Sequence, residues 1–248
     1  MKREPLILVQ DFKKQFGDKV VHDGVSFEVF KGECVGLVGG SGAGKSVFLR
    51  CLIGLEKPDS GLVLFKNQDV TLLNENELVE VRKKIAYVFQ GGALFDSMTV
   101  FENLAYPLRE HTQMSEQEIE AKVSEQLADF GLSHTTHLLP SELSGGMQKR
   151  IGLARGIILG PEVILYDEPT AGLDPSNTKN IQSLILRSKK KGVTSILVTH
   201  DMPTAFAVCD RICLLKKGRI VESGTIAELE KKSTGPIADY VHGEEEVL

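Results

Sequence analysis

The sequence predicts an α/β fold, in which a mostly parallel sheet flanked by helices carries an N-terminal antiparallel β subdomain and an inserted α-helical subdomain. Three observations support this prediction: short strands separated by turns near the N-terminus, continuous apolar runs that each end in a polar residue, and a long amphipathic block in mid-chain. We expect one domain over residues 1–248, with the core and the β subdomain in 1–90 and 161–248 and the helical subdomain in about 91–160.

The N-terminal part has the pattern of a small antiparallel sheet. Residues 6–10, 20–30 and 61–66 are short apolar-rich runs, and the stretches FGDK, KGE and KPDSG lie between them. Glycine, proline and aspartate in such stretches end strands and form tight turns.

Four later runs indicate the parallel sheet. ECVGLVGG leads through a glycine-rich turn into the helical pattern KSVFLRCLIGL. KKIAYVFQ, PEVILYDEP and GVTSILVTH are further apolar runs. Strands this apolar are buried on both faces, and the carboxyl ends of a parallel sheet carry the ligand site. We therefore expect the polar residues that follow these strands to belong to one site.

The block between Gly91 and Gly160 predicts helices inserted into this core. Apolar residues recur at helical spacing in SEQEIEAKVSEQLADFGL, and Ser115 with Glu118 forms a capping box at its start. The recurring apolar residues are Ile119, Val123, Leu127 and Phe130.

Composition narrows the class of protein. The net charge of −5 and the pI near 5.8 argue against a nucleic-acid partner, which requires clustered Lys and Arg. The four cysteines have no paired CxxC spacing and are expected to be reduced thiols. No run has the roughly 18 apolar residues of a membrane span, and the N-terminal apolar run is too short for a signal peptide. A membrane role would need a span from another chain.

A glycine-rich loop lies between the first buried strand and its helix. Its sequence matches G-x-x-x-x-G-K-[ST] in full, and roughly one chain in a hundred of this length would match by chance. Small residues let backbone N–H groups surround a triphosphate, while the helix N-terminus adds positive charge. Lys45 is expected to neutralise phosphate oxygens, and Ser46 to bind Mg²⁺. The loop comprises Gly39, Gly40, Ser41, Gly42, Ala43, Gly44, Lys45 and Ser46.

Polar residues at the ends of three other strands supply the remaining catalytic groups. Asp167 is expected in the Mg²⁺ shell, and Glu168 as the base that deprotonates the attacking water. Gln90 can contact the metal or its water, and His200 the γ-phosphate. Without the phosphate loop, the pair Asp167 and Glu168 would indicate only the start of a loop, and His200 only a capping or surface residue. The other five histidines keep that last interpretation.

The stretch LSGGMQKRIGLARG contains a second glycine pair at a helix start. Ser144, Gly145 and Gly146 are redundant as an anion site within one chain, but they complete one if they face the γ-phosphate held by a second copy. Glycine would be needed there because a Cβ would hold the partner's phosphate away. The alternative, weighed equally for LSGG alone, is a simple helix cap.

Together these motifs resemble the nucleotide-binding subunit of ATP-binding cassette (ABC) transporters over essentially the whole chain. The resemblance rests on GGSGAGKS, Gln90, LSGG, VILYDEP, TAGLDP and His200, in that order. It implies a P-loop NTPase core of ABC type, ATP and Mg²⁺ as ligands, a homodimer, and integral membrane permease partners. Phe16 corresponds to the aromatic residue that stacks on adenine. Gly40, Val47 and Met147 depart from the commonest family pattern, although Val47 still lies in the phosphate-binding stretch.

Three stretches narrow the resemblance to the ATPases of Mla- and Mce-type phospholipid transporters: GGSGAGKSV, FQGGALFDSMTVFENLAYPLREHT and LSGGMQKRIGLARG. This resemblance implies a peripheral location at the cytoplasmic face of the inner (cell) membrane and an Mce-type lipid-binding subunit. Complexes of this type often also carry a STAS-domain subunit. Alternatives are an importer ATPase for an amino acid or a metal, and a non-transport ABC ATPase. Apolar residues after Gln90 either dock the permease or belong to the core: Leu94, Phe95, Met98, Phe101 and Leu104.

Overall fold

Two sheets organise the chain in the computed structural model, which describes residues 4–243. The strands in this range are β1 (Ile7–Phe16), β2 (Lys19–Val29), β3 (Cys34–Val38), β4 (Ser60–Phe65), β5 (Gln68–Asp69), β6 (Ile85–Val88), β7 (Val163–Asp167), β8 (Thr194–Thr199), β9 (Arg211–Lys216) and β10 (Arg219–Thr225). The helices are α1 (Lys45–Leu52), α2 (Glu75–Lys84), α3 (Val100–His111), α4 (Glu116–Asp129), α5 (Gly145–Ile157), α6 (Pro175–Lys190), α7 (Met202–Val208), α8 (Ile226–Leu229) and α9 (Pro236–His242).

The smaller sheet has the strand order β2-β1-β4-β5 and is antiparallel, as the sequence predicts. β1 is longer than expected because it continues past a bulge at Asp11, whose φ is +48°. Opposite the bulge, a Cβ on Gly61 would lie 2.6 Å from the Asp11 carbonyl oxygen, so only glycine fits. β1 continues beyond the bulge to Phe16, at the turn into β2.

The larger sheet has the order β10-β9-β3-β8-β7-β6. β9, β3, β8, β7 and β6 run parallel, and β10 adds an antiparallel edge. The carboxyl ends of the parallel strands therefore lie at one edge of the sheet. Gly39 follows β3, Asp167 ends β7, His200 follows β8, and Gln90 comes two residues after β6.

Residues 91–160, all described, contain α3, α4 and α5 and no strand. Ser115 and Glu118 form the predicted capping box of α4, whose residues Ile119, Val123 and Leu127 are buried. These side chains join the buried residues on one face of the larger sheet in a single apolar cluster. A second cluster lies between the other face and the antiparallel sheet. The helical block is thus packed against the core, on the side away from the β subdomain.

All four cysteines are buried thiols. In the range that the structure describes, no helix is long and apolar enough to cross a membrane.

Candidate active site

The loop between β3 and α1 is shaped by glycine. A Cβ on Gly39 would lie 2.4 Å from the Leu215 carbonyl oxygen, and Gly44 has φ +93° at the N-cap of α1. No side chain caps this helix, and its first turn contains no acidic residue. The N-terminal amides of α1 therefore keep their capacity to bind an anion.

Lys45 is buried inside the loop that it follows. Its Nζ donates to the carbonyl oxygens of Gly39 and Gly40, at 2.7 and 3.0 Å, and lies 3.7 Å from Glu168 Oε1. Burial lowers the pKa of this ammonium group, while Glu168 and Asp167 oppose that shift. The loop thus surrounds a positive charge whose desolvation a phosphate would offset.

The side chains of Ser46, Asp167 and Tyr87 are connected by hydrogen bonds between their oxygen atoms. Ser46 Oγ donates to Asp167 Oδ1 at 2.7 Å, and the Tyr87 hydroxyl donates to Asp167 Oδ2 at 2.7 Å. Burial, and then the bond to Asp167, raise the pKa of Tyr87. The hydroxyl and carboxylate oxygens suit a hard cation such as Mg²⁺. No group of three or more His, Cys, Asp or Glu among residues 4–243 could hold a metal, so phosphate and water oxygens would have to complete the shell.

Glu168 is held by its backbone in an uncommon conformation. Its φ is +49°, which costs a non-glycine residue roughly 1–2 kcal/mol, and its N–H donates to the Val198 carbonyl at 2.9 Å. Its Oε2 lies 2.9 Å from His200 Nδ1 and accepts from Thr199 Oγ1 at 3.3 Å. The Glu168 side chain is 12% exposed and that of His200 is 62% exposed. Asp167 ends β7 and Glu168 follows it, so the carboxylates of both residues lie at the carboxyl edge of the larger sheet, as expected from the sequence.

These groups border an open cleft of about 1090 Å³. Phe16, 45% exposed at the end of β1, forms one side, with the Lys14 ammonium 4.8 Å from its ring centroid. Gln90 is exposed and also lines the cleft, whereas Asp167 lies behind Ser46. The lining residues are Phe16, Lys19, Val21, Ser41, Gly42, Ala43, Gly44, Lys45, Ser46, Val47, Gln90, Glu168, His200, Asp201, Met202, Pro203, Tyr240, Val241 and Gly243.

The LSGG stretch lies outside this cleft. Ser144 caps α5, because its Oγ accepts from the Met147 N–H at 3.3 Å. A Cβ on Gly145 would meet nothing within 4 Å, but one on Gly146 would lie 2.6 Å from Asn177 Cγ. At Gly146 the contact with α6 of its own chain is a reason for glycine that the sequence did not show, while the expected role toward a partner's phosphate stays a prediction.

The apolar residues after Gln90 divide between surface and core. Phe95 and Tyr106 are exposed and pack edge to face, with ring centroids 5.3 Å apart. Leu104, expected as a possible docking residue, is instead completely buried. It stands one turn from Val100 and from Leu108, which are also buried, so this i, i+4, i+8 stripe of α3 faces the core.

Sequence reasoning missed two residues of this region. His22, expected to be an ordinary surface or capping residue, is 1% exposed and lies 3.1 Å from the Gly44 carbonyl oxygen through Nε2. Tyr87 holds Asp167 across the β6–β7 pair. Neither contact has a signal in the sequence, because strand pairing joins Tyr87 to Asp167 and packing of the antiparallel sheet on α1 joins His22 to Gly44.

Known proteins resemble this chain along most of its length. The sequence family described as "ABC transporter" matches residues 22–171. The methionine import ATP-binding protein MetN of Chlamydia pneumoniae is 39% identical over 244 residues, which are 97% of this chain and 72% of that protein. The intermembrane phospholipid transport system ATP-binding protein MlaF of Haemophilus influenzae is 38% identical over 240 residues, 96% of this chain and 91% of that protein. A dimeric post-hydrolysis structure of the ATP-binding cassette MJ0796 with ADP and Pi superposes with a TM-score of 0.83 at 31% identity, covering 89% of this chain and 98% of that one.

Proposed function

Because the chain belongs to the ABC transporter family, whose ATPase domains bind ATP with Mg²⁺, we propose that it is the ATP-hydrolysing subunit of a phospholipid transporter of Mla/Mce type. The observation that carries the ATPase assignment is the convergence of Lys45, Ser46–Asp167 and Glu168–His200 at one edge of the sheet. The phospholipid assignment is supported by the three sequence stretches noted above and by the 38% identity to MlaF.

The phosphate loop, Gly39 to Val47, binds the triphosphate through its amides, and Lys45 neutralises charge on the β and γ oxygens. Phe16 stacks on the adenine from the β subdomain. Ser46, Asp167 and Gln90 hold Mg²⁺, which when bound neutralises charge that develops on the phosphate oxygens.

Glu168 is the general base of the reaction. Its carboxylate accepts a proton from water as the water oxygen attacks the γ-phosphorus, and the bond from that phosphorus to the ADP oxygen breaks. His200 orients this carboxylate from one side through the 2.9 Å contact and reaches the γ-phosphate from the same edge. The products are ADP and inorganic phosphate.

Two copies close on two ATP molecules, and Ser144, Gly145 and Gly146 of each face the γ-phosphate bound by the other. The open space around Gly145 and its exposure at the start of α5 support this arrangement. ADP lacks the bridging phosphate, so hydrolysis opens the dimer. The ATPase is peripheral at the cytoplasmic face of the cell membrane, and its closure drives integral permease subunits. An Mce-type lipid-binding subunit and a STAS-domain subunit would complete the transporter.

A second candidate is methionine import, favoured by the 39% identity to MetN over 97% of the chain. The two candidates share the ATPase chemistry and differ only in cargo. Metal import and a non-transport role have less support.

The Glu168→Gln variant tests the ATPase assignment. It should bind MgATP like the wild type and lose phosphate release by about 10²–10⁴-fold, because the amide cannot accept the proton. Turnover close to that of the wild type would remove Glu168 from the role of base.

Cargo is tested on the complex purified from its native membrane and reconstituted in vesicles. Phospholipid in the purified complex, and ATP-dependent movement of labelled phospholipid that Glu168→Gln abolishes, are expected. ATP-dependent uptake of methionine without lipid movement would decide for the second candidate.

A further inference from the structure

We propose that His22 is a positioning residue of the nucleotide site, which fixes the Gly44 carbonyl so that the first amides of α1 face the phosphates. The inference rests on the proposed role of the phosphate loop. It assigns a function to a side chain of β2 that belongs to no recognised motif of the sequence.

The imidazole of His22 contacts the Gly44 carbonyl directly, and this contact determines which ring nitrogen carries the proton. His22 Nε2 lies 3.1 Å from the Gly44 carbonyl oxygen, which also accepts from the Phe48 N–H at 2.9 Å. A carbonyl oxygen can only accept, so Nε2 carries the proton and Nδ1 does not. Both donors approach one oxygen atom, which fixes the direction of the Gly44 carbonyl.

The surroundings of the ring argue against a purely space-filling role. The ring is 1% exposed, and its centroid lies 5.2 Å from that of Phe12 and 6.0 Å from that of Phe48. Its Nδ1 is buried and has no hydrogen-bond partner in the described range. An apolar side chain in this aromatic environment would avoid the cost of burying that atom. What the imidazole adds is the bond to Gly44.

The orientation of this one peptide unit decides where the next amide points. In a trans peptide the C=O and the following N–H point in opposite directions. Because the Gly44 carbonyl is directed at His22 and Phe48, the Lys45 N–H is directed the other way, toward the uncapped end of α1. That end borders the cleft in which the phosphates are proposed to bind.

Close packing makes the contact rigid. A Cβ on Gly44 would lie 2.4 Å from Val21 Cγ1 and 2.9 Å from His22 Nε2, so the loop touches β2 with no intervening gap. β2 is paired with β1, which ends at Phe16, and is joined to the larger sheet by the Asp23 N–H bond to the Gly218 carbonyl at 2.9 Å. His22 therefore links two parts of the proposed nucleotide site. One is the β1–β2 hairpin, which carries Phe16 for stacking on adenine, and the other is the phosphate loop.

Two substitutions separate the hydrogen bond from the packing. His22→Gln places an amide nitrogen near the position of Nε2 and can keep the bond, whereas His22→Leu fills the space without a donor. Both are made in the Glu168→Gln protein to stop turnover, and MgATP affinity is measured by calorimetry beside the urea unfolding midpoint. The Leu variant should bind MgATP about three- to tenfold more weakly, the equivalent of one hydrogen bond, without a lower midpoint. The Gln variant should stay within about twofold.

The outcomes distinguish this inference from the proposed function. If the parent protein binds MgATP, Lys45→Ala weakens binding, and His22→Leu does not, only the inference fails. If the parent does not bind MgATP, the proposed function itself fails.

Should the Leu variant not fold, ¹⁵N NMR of the wild-type imidazole gives a second test. A ring protonated at Nε2 with a bare Nδ1 is expected, and the opposite tautomer would overturn the proposal.

Discussion

The contact between α5 and the loop after Gln90 gives the sharpest prediction about packing. A Cβ on Gly152 would lie 2.5 Å from the Gly92 Cα and 2.7 Å from its carbonyl oxygen. Both atoms belong to backbone, which cannot swing aside as a side chain can. On the same helix, a Cβ on Gly156 would lie 3.3 Å from Val88 Cγ2, a methyl group that needs to yield only slightly. Gly152→Ala and Gly156→Ala are therefore matched substitutions with different neighbours.

The magnitudes follow from two opposing effects. Carbon atoms prefer separations of about 3.5–4.0 Å, so Gly152→Ala requires the loop to move by about 1 Å. Overpacking of this kind costs about 1–3 kcal/mol, and alanine in a helix gains about 1 kcal/mol over glycine. Gly156→Ala keeps the gain with little of the cost. The free energies of unfolding of the two variants should therefore differ by about 1–3 kcal/mol, with Gly152→Ala the less stable.

Urea and thermal unfolding measure this difference. For a chain of this length the melting temperatures should differ by about 3 °C per kcal/mol. Gly152→Ala should also lower ATPase activity, since Gly92 follows Gln90 by two residues. Equal stability of the two variants would refute the close approach of backbone to backbone, whatever the activities.

Three further predictions concern single groups of the site. Tyr87→Phe removes the hydrogen bond to Asp167 Oδ2 and should weaken Mg²⁺ binding in the presence of ATP by about tenfold, measured by calorimetry; an unchanged Mg²⁺ affinity would count against the contact. Burial lowers the pKa of His22 below its ordinary 6.5, so protonation of the ring opposes folding and the free energy of unfolding should decrease as pH falls below 6.5. His22→Leu should remove this part of the decrease in a series of urea unfolding curves at different pH. The nearby charged groups Lys14, Asp23 and Lys45 are hydrogen-bonded to other residues. Gly145→Ala should change the free energy of unfolding by less than about 0.5 kcal/mol and yet prevent MgATP-dependent dimerisation of the Glu168→Gln protein, which sedimentation would detect.

The sequence was most informative where a function is local. The phosphate loop is one contiguous stretch after an apolar strand, so its residues and its structural context could be predicted together. Asp167 and Glu168 stand at the end of one apolar run, so their place at the carboxyl end of a buried strand could also be predicted from a contiguous stretch. The predicted capping box and the apolar stripe of α4 also depend only on neighbours within one helix.

Contacts between segments that are distant in the chain could not be predicted from the sequence. Tyr87 and Asp167 are 80 residues apart and meet because β6 pairs with β7, while His22 reaches Gly44 because the antiparallel sheet packs on α1. Leu104 is a different case, since the i, i+4, i+8 stripe of α3 was visible in the sequence and predicts burial. Its apolar character alone is compatible with either docking or the core, so both alternatives stayed open for it.

α5 connects the LSGG stretch, which is proposed to face a partner's nucleotide, with two loops of its own chain's site. Its N-terminus carries Gly146, its Lys149 Nζ donates to the Ala171 carbonyl in the loop after Glu168, and its Gly152 packs on Gly92 in the loop after Gln90. An intact helix of 13 residues moves as one body, and close-packed contacts do not stretch. Any displacement of this N-terminus on meeting a second copy must therefore act on the loops that position Gln90 and Glu168. In the dimer proposed above, binding of the partner's nucleotide and the geometry of hydrolysis would be coupled through this helix.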